Sequence, residues 1–185
     1  MITLRFATQQ DASFIAAGIF AAFLITEESP LRNTWLQTLT KVCSQPDTHY
    51  SYTNTIIAEY NEVRAGMMIA VDGNYYRDQR NKMYPQLKSL FDLVFGNNWE
   101  QMEDEAKPGD FYIDTLSILP EYQNKGIGTQ LIHHAIERAK QLQIPRVTLA
   151  VEPNNPAKQL YLRMGFHFLQ PIIIFNDTYH LYTTQ

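Results

Sequence analysis

The chain has 185 residues and a net charge of −4, with 45% apolar and 18% charged residues. These values fit one compact globular domain, long enough to bury roughly 70% of its unfolded surface. The negative charge and the lack of a Lys/Arg cluster argue against a nucleic-acid partner. Cys43 is the only cysteine, so an internal disulfide is excluded, and a buried small side chain is the expected reading over a reactive thiol.

Residues 2–7 read as a first strand and the apolar run 12–25 as a first helix, capped by Asp11. That run is too short to span a bilayer, and Ser13 and Gly18 interrupt it. No basic stretch precedes it, so it is not read as a secretion signal; a cytoplasmic protein without a membrane partner is expected. Glu27-Glu28-Ser29-Pro30 breaks the helix. Apolar residues at 35, 36, 39, 42 and 43 form a second helical stripe. Residues 55–60 and 63–71 read as an antiparallel hairpin turning at Asn61-Glu62, closed by Gly73.

An insert occupies about residues 74–110. Met83, Tyr84, Leu87, Leu90, Phe91, Val94 and Phe95 have helical spacing, which predicts an amphipathic helix over 83–95 with Pro85 in its first turn. Trp99 and the acids Glu100, Glu103, Asp104 and Glu105 follow, and Pro108-Gly109 ends the excursion. Such a charge run is ordinarily a solvated face, and these acids could also attract a cation.

The most informative segment comes next. The alternating run 111–118 predicts a strand, and Gln123-Asn124-Lys125-Gly126-Ile127-Gly128 leads from it into a helix whose stripe is Leu131, Ile132, Ala135, Ile136, Ala139 and Leu142. A strand, a glycine turn and a helix N-terminus aim several unpaired N–H groups and the positive end of the helix dipole at one point, which favours a phosphate. Gly126 and Gly128 let the backbone bend tightly against a bulky pyrophosphate. The dinucleotide fingerprint G-x-G-x-x-G fails, because Leu131 stands at its third glycine, and no G-x-x-x-x-G-K-[ST] string occurs. After the helix, 147–151 is a short apolar strand suited to parallel pairing with 111–118 through a right-handed crossover. Residues 157–164 read as the last helix, ended by Gly165. Residues 167–175 and 178–182 read as a closing hairpin around Asn176-Asp177, with Pro171 at an edge or bulge.

The string Q-x-x-G-x-G after a strand resembles the pyrophosphate loop of the GNAT superfamily of N-acyltransferases. Ile118-Leu119-Pro120-Glu121-Tyr122 looks like that family's strand exit, and the run from Glu152 to Phe166, with Asn154, Ala157, Leu160 and Tyr161 leading to Gly165-Phe166, matches its second signature, N-x-x-A-x-x-L-Y-x-x-x-G-F. The likeness is close over about 111–170, and the start of the chain is similar to the family's first strand and helix cap; the insert has no template. The resemblance implies a mixed α/β fold in a single domain over 1–185, with a central, largely antiparallel sheet, one splayed parallel pair and helices on both faces. It implies acetyl-CoA as co-substrate and acetyl transfer by direct attack of a primary amine, on a small molecule or a peptide. By the same resemblance Ile118, Gln123, Asn124, Lys125, Gly126, Ile127, Gly128, Thr129 and Asn155 bind the cofactor, Tyr161 gives a proton to the sulfur, and Asp114 orients or deprotonates the amine. Gln123 stands where many relatives carry arginine, and Lys125 could supply the missing charge. A non-catalytic acyl-CoA-binding sensor on the same fold is the alternative.

Direct attack needs no covalent nucleophile, and no G-x-S-x-G or reactive-cysteine motif is present. A phenol, with a reference pKa near ~10, is protonated at neutral pH and can serve as donor to a thiolate. Strand parity puts Tyr112, Asp114, Leu116 and Ile118 on one face. His133 and His134 fall off the apolar stripe beside Arg138 and Lys140, a solvated helix face, so no metal is assigned. Oligomeric state is left at monomer or homodimer.

Overall fold

The protein is described from a computed structural model covering residues 1–22, 30–96 and 103–185. The expected end of the first helix, the break at Glu27–Ser29, Trp99 and Glu100 lie outside the described residues. The chain divides into two compact units, one formed by residues 1–69, 78–87 and 115–127, the other by residues 70–77, 88–114 and 128–185.

In the first unit β1 (Ile2–Phe6) pairs antiparallel with β2 (Thr55–Tyr60), which pairs antiparallel with β3 (Val63–Asp72). The Asn61-Glu62 turn has both residues at positive φ (50° and 67°), the geometry that matches strand twist in a two-residue hairpin. Beside β3 runs the end of β4 (Asp110–Ile118), tied by the Leu119 N–H to the Ala65 carbonyl at 2.9 Å. Helices α1 (Ala12–Ala22) and α2 (Arg32–Cys43) supply Ile15, Ile19, Trp35 and Leu39 to a core with Ile57 and Met67, all essentially buried. Cys43 is buried there and its thiol is pushed up to about 12 by desolvation, the inert state expected for it.

Asp11 does not cap α1 itself. Thr8 holds the cap position of a 3₁₀ turn, Gln9–Asp11, and Asp11 is its third residue. The Asp11 carboxylate accepts the Thr8 N–H at 2.9 Å and takes a forked pair from Arg5 at 2.8 and 3.0 Å. Arg5 also reaches Glu59 at 2.7 Å, so one guanidinium links β1, β2 and the entry to α1.

The second unit holds the strand order β4-β5-β7-β6, with β5 (Arg146–Val151), β6 (His167–Ile174) and β7 (Asp177–Thr183). The β4–β5 ladder is parallel and runs only from Asp110↔Arg146 to Ile113↔Leu149, although β4 continues to Ile118 and β5 to Val151. The other pairs, β5–β7 and β6–β7, are antiparallel. The fold is therefore mixed α/β with largely antiparallel strands and one parallel pair, as expected. Helix α4 (Ile127–Gln141) buries Leu131, Ile132, Ala135 and Ala139, and α5 (Lys158–Arg163) is a short last helix.

Two further expectations need correction. The insert helix α3 spans Gly73–Phe95, ten residues longer at its start than predicted, so Pro85 lies mid-helix. Its start is fixed by Asp72, whose carboxylate accepts the Asn74 N–H at 2.8 Å. Gly73 is thus the first helical residue; a Cβ there would stand 2.0 Å from the Lys107 carbonyl oxygen, so no other residue fits. The closing turn is Phe175-Asn176, both at positive φ (50° and 69°), one residue earlier than Asn176-Asp177.

The Arg5 guanidinium, outweighing the cost of burial, holds the Asp11 carboxyl well below the usual carboxylate range. A depressed folded pKa gives stability that is complete above the unfolded value of about 3.9 and is lost as pH falls through the folded one. Asp11→Asn should cost about 1–3 kcal/mol near neutral pH. In melts run from pH 7 down to pH 3, the parent should lose this advantage below about pH 4 while the variant's curve is flatter; superimposable curves would show that the network does not stabilise the fold.

Candidate active site

The turn between β4 and α4 follows from its sequence. Pro120 opens a 3₁₀ turn, Pro120–Tyr122, and the chain then passes through positive φ at Asn124 (59°) and Gly126 (84°) before α4 begins at Ile127. Asparagine and glycine are the residues that accept this conformation at least cost. A Cβ on Gly126 would meet no atom within 4 Å. The glycine is therefore demanded by its backbone conformation, and the space where a side chain would project is open; the first N–H groups of α4, which follow directly, have no partner within the helix. The exposed loop and open cradle fit a pyrophosphate, so the residues present suit a coenzyme A moiety.

Gln123 is turned back on its own chain, its Nε2 donating to the Ile118 carbonyl at 3.3 Å. This brings two expected cofactor residues together, but the amide does not point out from the loop. Lys125 lies 5.7 Å over the Tyr60 ring, which itself contacts Tyr122 at 5.8 Å. Its charge is thereby held beside the loop. Ile127 and Gly128 are buried at the helix start and Thr129 is exposed.

Asn155 precedes α5 and folds the entry turn, its Oδ1 accepting the Ala157 N–H at 2.9 Å and its carbonyl the Lys158 N–H at 3.1 Å. Tyr161 lies on α5, 8% exposed, its ring edge-on to Phe166 at 6.1 Å. Burial pushes its phenol up to about 12, so it carries its proton throughout the neutral range.

Asp114 shares a strand face with Tyr112, and its charge reaches the Tyr112 phenol. Sequence reasoning missed what surrounds it. Glu105, from the segment before β4, accepts hydrogen bonds from Tyr112 and, at 3.2 Å, from Tyr76 of α3. The Tyr76 and Tyr112 rings meet edge to face at 5.9 Å and pack with Ala106 and Ala150. Tyr112 is raised well above its ordinary value, by burial first and then by Glu105 and Asp114. Tyr179 of β7 is pushed up to about 12 by burial, then by Glu152, Asp177 and Glu105, and it hydrogen-bonds Glu152. Glu152 opens the second signature string, and Tyr112 shares the parity of Asp114; those were the available signals. Asp104 is paired with Arg77. Among the described residues no group of three or more His, Cys, Asp and Glu side chains is placed to hold a metal. No described helix is long and apolar enough to cross a membrane.

The model of the Acetyltransferase (GNAT) family matches residues 23–166, and the chain belongs to that family. It is similar in fold to an N-acetyltransferase from Staphylococcus aureus Mu50, with a TM-score of 0.79, 20% identity, and 98% of this chain and 99% of that chain covered. Arabidopsis thaliana Naa50 in complex with the bisubstrate analogue CoA-Ac-MVNAL is similar at a TM-score of 0.60 and 16% identity, over 100% of this chain and 98% of that chain. The cysteine-rich protein 2-binding proteins of Mus musculus and Homo sapiens share 34% identity over 79 residues, 43% of this chain. That match spans 10% of those much longer relatives.

The raised phenols set an alkaline limit. A folded pKa above the unfolded value of about 10 gives stability that is complete below pH 10 and is lost as pH rises through the folded value. For Tyr161 that window runs from about pH 10 to about 12. Denaturant unfolding across this window should show Tyr161→Phe losing about 1.4 kcal/mol less per pH unit than the parent. Equal slopes would mean that Tyr161 ionises as freely folded as unfolded.

Proposed function

We propose that the chain transfers the acetyl group of acetyl-CoA to a primary amine, as a single cytoplasmic acetyltransferase domain over residues 1–185 carrying a helical insert at about 74–110. The positive-φ turn through Asn124 and Gly126 into α4, with open space where a side chain would project, carries this reading. Residues Gln123 to Thr129 hold the pyrophosphate through backbone N–H groups and the helix dipole, with Lys125 adding charge. Ile118 offers backbone groups and Asn155 its amide NH₂ to the pantetheine arm.

Acetyl-CoA supplies a thioester whose acetyl carbon is open to a neutral amine. No residue of the chain need form a covalent bond. Asp114 orients the amine and takes its proton, directly or through a water. Tyr161 keeps a proton on its phenol for the departing sulfur, and its raised pKa ensures that the donor is never spent by ionisation at neutral pH. The acceptor is a small-molecule or peptide amine, and the working form is a monomer or homodimer.

Three variants separate these roles. Gly126→Val puts a β-branched residue at φ 84° and a side chain into the cradle, so CoA affinity in calorimetry should be lost while the far-UV spectrum is kept. Tyr161→Phe should lower kcat by roughly 10²-fold with CoA affinity little changed. Asp114→Asn should lower kcat/KM for the amine: a raised KM marks an orienting carboxylate, a lowered kcat with an altered pH profile a base. Unchanged CoA binding by a folded Gly126→Val protein would defeat the phosphate-cradle reading.

A further inference from the structure

A loop that holds a pyrophosphate has to answer negative charge, and the loop after β4 has little positive charge of its own. Between Leu119 and Gly126 it carries one cation, Lys125, and one anion, Glu121. Gln123 is uncharged and donates to the Ile118 carbonyl at 3.3 Å. Lys125 is therefore the only positively charged side chain that the loop offers.

An exposed lysine is a poor anion ligand unless something holds it, because ordering its flexible four-carbon stem loses rotamer freedom. Here the hold comes from outside the loop. The Lys125 ammonium stands 5.7 Å from the centroid of the Tyr60 ring, within cation–π range. Tyr60 is the last residue of β2, paired with Ile2 of β1 and Val63 of β3. Its ring also meets that of Tyr122 at 5.8 Å, a separation at which aromatic pairs attract. Tyr122 in turn is fixed in the 3₁₀ turn that opens the loop, its N–H donating to the Leu119 carbonyl at 2.9 Å. The ring under Lys125 is thus held from the hairpin and from the loop at once.

An aromatic partner suits this task better than an acid. A carboxylate at the same place would hold the ammonium but cancel its charge, and it would repel a phosphate. A ring face attracts the cation through its quadrupole and leaves N–H donors for an anion. Among the described residues Lys125 makes no ion pair. We propose that Tyr60, which lies outside both signature strings, is a positioning residue for coenzyme A. Its ring holds Lys125 beside the loop, and through Lys125 it tightens the binding of the phosphates. This rests on the acetyltransferase reading above and adds a residue to its cofactor site.

The test is a double-mutant cycle read by calorimetry of CoA binding, with far-UV spectra to establish that each variant is folded. Lys125→Met should weaken CoA binding about tenfold, in the range of one charge-assisted contact. Tyr60→Leu should weaken it about two- to fivefold, as the cation–π contact is lost. Tyr60→Phe keeps the ring and should bind like the parent. In the Lys125→Met background Tyr60→Leu should have no further effect, because the group through which it acts is gone. Tyr60→Thr, which suits a strand, takes the place of the leucine variant if that protein is unfolded. Full CoA affinity in folded Tyr60→Leu or Lys125→Met, equal losses in Tyr60→Phe and Tyr60→Leu, or additive losses in the double variant would overturn the proposal. Tight CoA binding by the parent would in each of those cases leave the acetyltransferase reading standing. Absence of CoA binding by the parent would overturn both.

Discussion

The short parallel ladder between β4 and β5 is the constraint on which the second unit depends. Asp110, 2% exposed, pairs with Arg146 across that ladder and accepts the Lys107 N–H at 2.8 Å, so a buried carboxylate fixes where β4 begins relative to β5. A buried charge is tolerable only with partners of this quality. From that anchor the register puts Tyr112 opposite Thr148 and decides which side chains share a face. A slip of one residue would turn Asp114 and Tyr112 to the opposite face. The face that carries Asp114 is in this sense set at the other end of the strand.

Much of this was legible in the sequence because it depends on local rules. The Asn61-Glu62 hairpin, the strand–glycine–helix turn and the parallel crossover each follow from short-range chemistry, and two ordered signature strings named the family. The start of α3 escapes the periodicity because residues 73–82 are largely polar. Yet Tyr76 continues the stripe of Met83, Leu87 and Leu90 backwards, and Asp72 stands ready as the cap. Asp11 reads as a cap by residue type alone; the guanidinium that engages it lies on β1, and only folding brings Arg5 to it.

The cluster around Glu105 illustrates the limit differently. Its members come from the insert, β4, β5 and β7, so no spacing rule links them. Their identities are also misleading: the acidic run before β4 reads as a solvated face, but Asp104 and Glu105 have different fates. Asp104 pairs with Arg77, and Glu105 turns to two phenols. Adjacent acids in one run can therefore take quite different partners, and only the neighbours tell them apart.

The Phe175-Asn176 turn has a consequence of its own. A bulky residue at φ 50° is locally unfavourable, and Asn-Gly would close such a hairpin with less strain. Phe175 is kept there by its stack on Phe95 of α3. The chain here is frustrated: the best local choice and the best tertiary choice differ, and the tertiary one prevails. A sequence optimised for the hairpin alone would lose the aromatic wall next to Tyr179, so a gain in local stability would be drawn directly from the packing of α3 on the turn.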